Sequence, residues 1–181
     1  MRIIAGKYRG KKLFSPQNIG VRPTSDRARE SIFNILNSRS DKEWGEYHLL
    51  DLFAGTGAFA LEAISRGVAD ATLVDINLET IRKNLSLFVA EQQKIKVIKS
   101  DVANLGKSAK KYNLVFIDAP YNKGLSEVAL NILKQNHWLE NKAMIIVETE
   151  KNEKLPLPDS FELVDERIYG LARVSFMQYI G

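Results

Sequence analysis

LLDLFAGTGAFALEAISRG, residues 49–67, carries a strand, a turn and a helix in direct succession. The apolar run HLLDLF (48–53) predicts a buried strand, and AFALEAISRG (58–67) predicts a helix closed by Gly67. Between them, Gly55 and Gly57 permit a sharp turn and let a ligand approach the main chain closely. The alternation continues downstream. ATLVD (71–75) reads as a strand, and Asn77 as the cap of a helix whose Leu78, Ile81, Leu85 and Phe88 recur at helical spacing. KVI (96–98) and NLVFID (113–118) are strands, GLSEVALNILKQN (124–136) a helix and AMIIVE (143–148) a fifth strand. This order implies a mostly parallel sheet with helices on both faces. FELVDERIYG (161–170) and ARVSFMQYI (172–180) are joined at Gly170 and Leu171 by a link too short for a parallel crossover, so they form an antiparallel hairpin. The expected fold class is α/β, Rossmann-like, with a seven-stranded, mostly parallel sheet ending in that hairpin.

Upstream, residues 1–14 alternate loosely around Gly6 and Gly10, as in a short hairpin. SPQNIGVRP (15–23) is turn-rich, and Thr24 or Ser25 caps a helix over about 25–38 with Asp26 in its first turn. Ala28, Ile32, Ile35 and Leu36 fall on one face of that helix. The chain divides into a basic hairpin-and-helix extension, 1–40, and a ligand-binding domain, 41–181, which together can behave as one unit. Residues 1–40 hold nine Lys and Arg against two acids, a net of +7 that leaves −3 for the rest of the chain. A basic arm on a mildly acidic body points to a polyanionic partner.

The 181 residues contain no cysteine and two histidines, His48 and His137. Disulfides, thiolate metal sites, a thiol nucleophile and multi-histidine metal sites are therefore excluded. No apolar run is long enough to span a membrane, and no apolar signal core follows the basic start, which suggests a cytoplasmic monomer.

The glycine loop satisfies G-x-G-x-x-A with Ala60 in third place, a spacing that also fits a dinucleotide dehydrogenase. The acids separate the two readings. Asp75, 18 residues after Gly57, ends the second strand, where a carboxylate accepts both hydroxyls of a ribose. Asp51 lies inside an apolar strand, and a buried acid there needs a donor such as a ligand ammonium. Asp101 follows the third strand and Asp118 the fourth. Four acids on the ligand edge favour amines and hydroxyls over phosphates. S-adenosylmethionine, with its ammonium, ribose diol, adenine amine and sulfonium, fits.

Four segments, MRIIAGKYRGKKL (1–13), RPTSDRARESIFNIL (22–36), LLDLFAGTGAFALEAISRG (49–67) and DAPYNKGL (118–125), resemble the RsmD-like family of class I S-adenosylmethionine-dependent methyltransferases. That family methylates the exocyclic N2 of a guanine in 16S ribosomal RNA. The resemblance runs over essentially the whole chain. It implies that Asp51, Phe53, Ala54, Gly55, Thr56 and Gly57 line the methionine portion of the cofactor. It further implies that Asp75 binds the ribose, that Ile76 packs on adenine and that Asp101 and Val102 face the adenine edge. Asp118, Ala119, Pro120 and Tyr121 match the catalytic loop, with Ala119 where the family usually has proline. The implied partner is 16S RNA or an assembling small ribosomal subunit.

Within that resemblance, the Asp118 carboxylate and the Ala119 carbonyl meet the target amine, Pro120 fixes the loop, and Tyr121 stacks on the base. Arg2, Lys7, Arg9, Lys11 and Lys12 are expected to neutralise RNA phosphates, with Tyr8 stacking on a base. Arg22, Arg27 and Arg29 suit either RNA contact or ion pairing with Asp26 and Glu30. Two rivals stand beside the guanine reading: an adenine-N6 methyltransferase on DNA or RNA, and a non-catalytic nucleic-acid-binding domain of the same fold.

Overall fold

The computed structural model describes residues 1–15, 26–39 and 42–181. The strands are β1 (His48–Leu52), β2 (Asp70–Asp75), β3 (Ile95–Lys99), β4 (Tyr112–Asp118), β5 (Leu139–Glu150), β6 (Phe161–Tyr169) and β7 (Ala172–Tyr179). The helices are α1 (Asp26–Arg39), α2 (Ala58–Arg66), α3 (Glu79–Leu85) and α4 (Leu125–Gln135). The strands form one sheet in the order β3-β2-β1-β4-β5-β7-β6. Ladders among β1–β5 are parallel, whereas β7 runs antiparallel to both β5 and β6. This is the sheet and terminal hairpin expected from the sequence. The expected cap at Thr24 or Ser25, Arg22 and nearly all of the loop before them lie outside the described residues. Asn77 does not occupy the formal cap position of α3, but its Oδ1 accepts the Glu79 N–H at 3.0 Å.

Alternate strand residues supply two cores, as the pleat requires. Leu49, Leu73, Leu114 and Phe116 face α1, α2 and α3. Leu50, Leu52, Val115 and Ile117 face α4. On the first face three rings are stacked in sequence. Phe116 lies 3.8 Å from Phe59, and Phe59 lies 4.8 Å from Phe33, which brings α1 onto α2 and the sheet.

The N-terminal hairpin is not a free arm. Its strands meet at Arg2 and Lys12, and Ile3 and Leu13 are buried with Leu61 and Phe88. Glu62 of α2, with no exposed surface, accepts the N–H groups of Ile4 and Ala5 at 2.7 and 3.0 Å. The same carboxylate accepts from Arg66 Nε at 2.8 Å and lies 3.9 Å from Arg29 Nε. Ser65 holds the hairpin tip by accepting the Tyr8 N–H and donating to the Ala5 carbonyl. Gly6 has φ +79°, and a Cβ on it would lie 1.9 Å from the Ser65 carbonyl oxygen, so only glycine fits.

A buried carboxylate with this many donors leaves uncompensated groups behind when removed. Glu62→Ala is expected to cost about 3–5 kcal/mol of stability. Urea unfolding checks this, and a loss below about 1 kcal/mol would contradict the role given to Glu62.

Candidate active site

The turn between β1 and α2 depends on backbone conformations that few side chains adopt. Phe53, Gly55 and Gly57 all have positive φ, of 58°, 56° and 74°. A Cβ on Gly57 would come within 2.9 Å of Leu73 Cδ2, so glycine here also lets the helix pack closely on the sheet. The loop is held from three sides. Ala54 N–H donates to the Val74 carbonyl at 3.1 Å, and Gly57 N–H to the Ala54 carbonyl at 2.7 Å. Asn84, buried on α3, donates to the Thr56 and Phe14 carbonyls at 2.8 and 3.1 Å and accepts the Phe14 N–H at 2.7 Å. Asn84 was not among the residues expected from sequence. Its signal is an amide in mid-helix, KNL (83–85), with no local need for one.

Two acids flank the loop in opposite settings. Asp75 is half-exposed, and each of its oxygens accepts one N–H at 2.8 Å, from Gly55 and from Asn77. Its remaining lone pairs are available to a diol. Asp51 is 1% exposed and, among the described residues, accepts the Ala60 N–H alone, at 3.2 Å. Burial raises its pKa from the ordinary 3.8 to about 8; the Ala60 hydrogen bond opposes that rise and the nearby Asp75 charge adds to it. Ile76, next to Asp75, is 67% exposed, a large apolar side chain presented to solvent. A site with a carboxyl lacking a cation, a pinned carboxylate and an exposed isoleucine matches a ligand with an ammonium, a diol and a flat ring. S-adenosylmethionine has all three.

Asp101 caps a 3-10 turn at Val102–Asn104 by accepting the Ala103 N–H at 2.9 Å. Val102 is buried in the core of the α4 face, so its main chain, not its side chain, is the part a ligand can meet.

The DAPY segment stands beside the glycine loop. Leu52 pairs with Ile117, so Phe53 and Asp118 emerge side by side at the carboxyl edge of adjacent strands. Ala119 is buried against the α4 face and Pro120 is exposed. Tyr121 donates its hydroxyl to Glu148 Oε1 at 2.9 Å. Glu148, 3% exposed, pairs across the sheet with Asp118. Desolvation and the Glu148 carboxylate push the Tyr121 phenol well above its ordinary range, so it remains a neutral donor. Glu148 is a second residue not expected from sequence, where it reads as the end of a strand.

The RNA candidates separate. Arg9, Lys12 and Arg27 are exposed, as is the Arg2 side chain, which lies 3.7 Å from Asp26. Lys7 and Tyr8 both bind Glu91, at 2.7 and 2.9 Å, and Lys11 donates to the Leu87 carbonyl. Tyr8 packs edge-on against Phe88 at 4.8 Å; its ring serves the hairpin instead of standing open for a base. Of the two roles that Arg29 suits, the ion pair with Asp26 is the one formed: Arg29 is 1% exposed and donates to the Arg2 carbonyl and to Asp26.

This fold, with a glycine turn and a DAPY loop on neighbouring strands, defines a class I methyltransferase. The family model described as Conserved hypothetical protein 95 matches residues 1–178. The Ribosomal RNA small subunit methyltransferase D of Escherichia coli is 38% identical over 94% of this chain and 85% of its own. Its namesake from Haemophilus influenzae is 34% identical over 99% of this chain and 93% of its own. The solved structure of the putative methyltransferase yhhF from Escherichia coli superposes with a TM-score of 0.85 at 33% identity, covering 100% of this chain and 98% of that one. The chain belongs to this RsmD-like family.

Because folded Asp51 holds its proton up to about pH 8 while the unfolded carboxyl loses it near 3.8, stability falls as pH rises through that window. Asp51→Asn removes the slope. The variant is expected to melt above the wild type at pH 9 and to bind S-adenosylmethionine at least tenfold more weakly. Calorimetry at pH 7 in buffers of different ionisation enthalpy should show proton release on cofactor binding in the wild type only. Equal affinities would contradict the ammonium contact.

Proposed function

We propose that the protein methylates an exocyclic amine of small-subunit ribosomal RNA, the N2 of a guanine, using S-adenosylmethionine. The observation that carries this reading is the emergence of Phe53 and Asp118 side by side, an arrangement that suits a cofactor loop next to an amine-binding loop. The likeness to proteins named for small-subunit ribosomal RNA methylation supports the substrate class. The cofactor, when bound, supplies a methyl group already activated on a sulfonium.

The chain's own residues then position and polarise. Asp51 and the loop 53–57 hold the amino-acid end, Asp75 the ribose, and Ile76, Asp101 and the Val102 main chain the adenine. The amine's lone pair is delocalised into the purine. Asp118 and the Ala119 carbonyl accept its hydrogens, favour a localised lone pair and stabilise the positive charge that grows on nitrogen. The charged product amine is a strong acid, so Asp118 need not be a strong base. Pro120 limits loop motion, and Tyr121, fixed through Glu148, presents its ring to the base. A target inside a helix cannot reach this edge, so the base is single-stranded or flipped out. Holding the reactants in line contributes several kcal/mol to lowering the barrier. The exposed Arg2, Arg9, Lys12 and Arg27 contact phosphates. In this reading residues 1–40 act with 41–181 as one unit, a cytoplasmic monomer working on 16S RNA or on an assembling subunit.

Labelled S-adenosylmethionine incubated with unmodified small-subunit RNA or particles, followed by mapping of the modified base, tests the reading. Label is expected on guanine N2; label on adenine N6, or none, overturns it. Asp118→Ala should lower turnover about 10²–10³-fold while cofactor affinity stays within about threefold. Near wild-type turnover would remove Asp118 from the mechanism.

A further inference from the structure

On the sheet face opposite the N-terminal hairpin, a groove of about 730 Å³ runs along β3 and β2. Its floor includes Ile98, Tyr112 and Trp138, which belong to the core of the α4 face. Its walls carry five lysines, Lys94, Lys96, Lys99, Lys107 and Lys110, against one acid, Asp70. Asp70 is already occupied, by His48 Nδ1 at 2.7 Å and by Lys110. Lys94 pairs with Glu91 at 3.3 Å. Among the described residues Lys96, Lys99 and Lys107 form no ion pair, and all three are exposed. The segment 94–111 holds six lysines and a single acid, Asp101, although the chain beyond residue 40 is acidic on average.

The groove is joined to the cofactor edge. Ser100, on its rim, donates its N–H to the Asp75 carbonyl at 3.1 Å. Lys99 also lines a second recess with Asn77 and Arg82, on the flank of the proposed adenosyl site. The groove reaches round to the hairpin as well, because Glu91 binds Lys94 on one side and Lys7 and Tyr8 on the other. Basic groups therefore flank the edge strand β3 on both faces. From β3 to β4, where Asp118 emerges, is three strand spacings, about 14 Å at ~4.8 Å each.

We propose that this groove is a second RNA-binding surface, in which Lys96, Lys99 and Lys107 take phosphates of the substrate strand while the strand bends around the β3 edge toward the catalytic loop. The proposal rests on the RNA methyltransferase reading. Lysine suits this role as a point charge that holds phosphate without reading a base. An acidic protein segment of the ribosomal particle is the competing occupant.

The test combines Lys96→Gln, Lys99→Gln and Lys107→Gln in the full chain. Binding to naked small-subunit RNA is measured by fluorescence anisotropy across a salt series, and S-adenosylmethionine binding by calorimetry. Each lost phosphate contact lowers the steepness of log K against log salt by about 0.7 for a single strand, so the triple variant should lose about two in slope. Affinity at 0.15 M salt should fall roughly tenfold to a hundredfold, with cofactor affinity unchanged. An unchanged slope, or weakened binding to particles but not to naked RNA, overturns the groove as an RNA site. Wild-type protein that transfers no label to RNA overturns the functional reading and the groove with it. Transfer by the wild type together with an unchanged variant slope overturns the groove alone.

Discussion

Glu62 is a carboxylate with no access to water, in the middle of the helix that follows the glycine turn. Such a group is tolerated only when donors surround it. The chain supplies them from Arg66 one helical turn on and from the first residues of the hairpin, and the Arg29 guanidinium on α1 adds its charge from 3.9 Å. Three segments distant in sequence thus share one charge. The hairpin could not stand alone as a two-stranded ribbon; it persists because its main chain satisfies a side chain of the domain. The basic groups on it are consequently held at fixed positions relative to the ligand edge.

The same edge shows how one residue type serves opposite ends. Asp75 sits in a polar turn with two backbone donors and part of its surface in solvent. Asp51 sits one strand away with one backbone donor and almost no solvent. The first is oriented at little cost and can wait for hydroxyls. The second carries a desolvation penalty; in the proposed reading the ligand's ammonium would relieve it, and part of the ligand's affinity would come from a deficit built into the folded protein. Tyr121 follows the first pattern: Glu148 fixes its hydroxyl, leaving only the ring to act.

The sheet was legible because parallel strands buried on both faces read as apolar runs, and because Gly170 and Leu171 leave no room for a crossover. The strand positions of Asp51, Asp75 and Asp118 were legible for the same reason, since each interrupts or ends such a run. Asn84, Glu62 and Glu148 were not. Each lies within an ordinary element, and its partners outside that element come from residues 27 to 70 positions away. For Arg29 the sequence left RNA contact and pairing with Asp26 or Glu30 both open; the pairing with Asp26 is formed, and the approach to Glu62 was not foreseen because that residue lies 33 positions away. The lysines of 94–111 were hidden by averaging charge over the whole body of the chain.

One further consequence concerns synthesis. β7 is the last of the seven strands to emerge from the ribosome, yet it lies inside the sheet, between β5 and β6. Until residues 172–179 are available, β5 presents an unpaired edge over the seven residues Met144–Glu150 and β6 has no neighbour. Phe176 and Val174 are also missing from the core that holds the Phe33–Phe59–Phe116 stack. A nascent chain carrying the complete cofactor loop and the complete DAPY segment therefore still lacks a closed sheet beneath them. It exposes a sticky strand edge at the stage when its basic surfaces are already formed. The order of the strands makes closure of the sheet wait for β7, after both the glycine turn and the DAPY segment have been made.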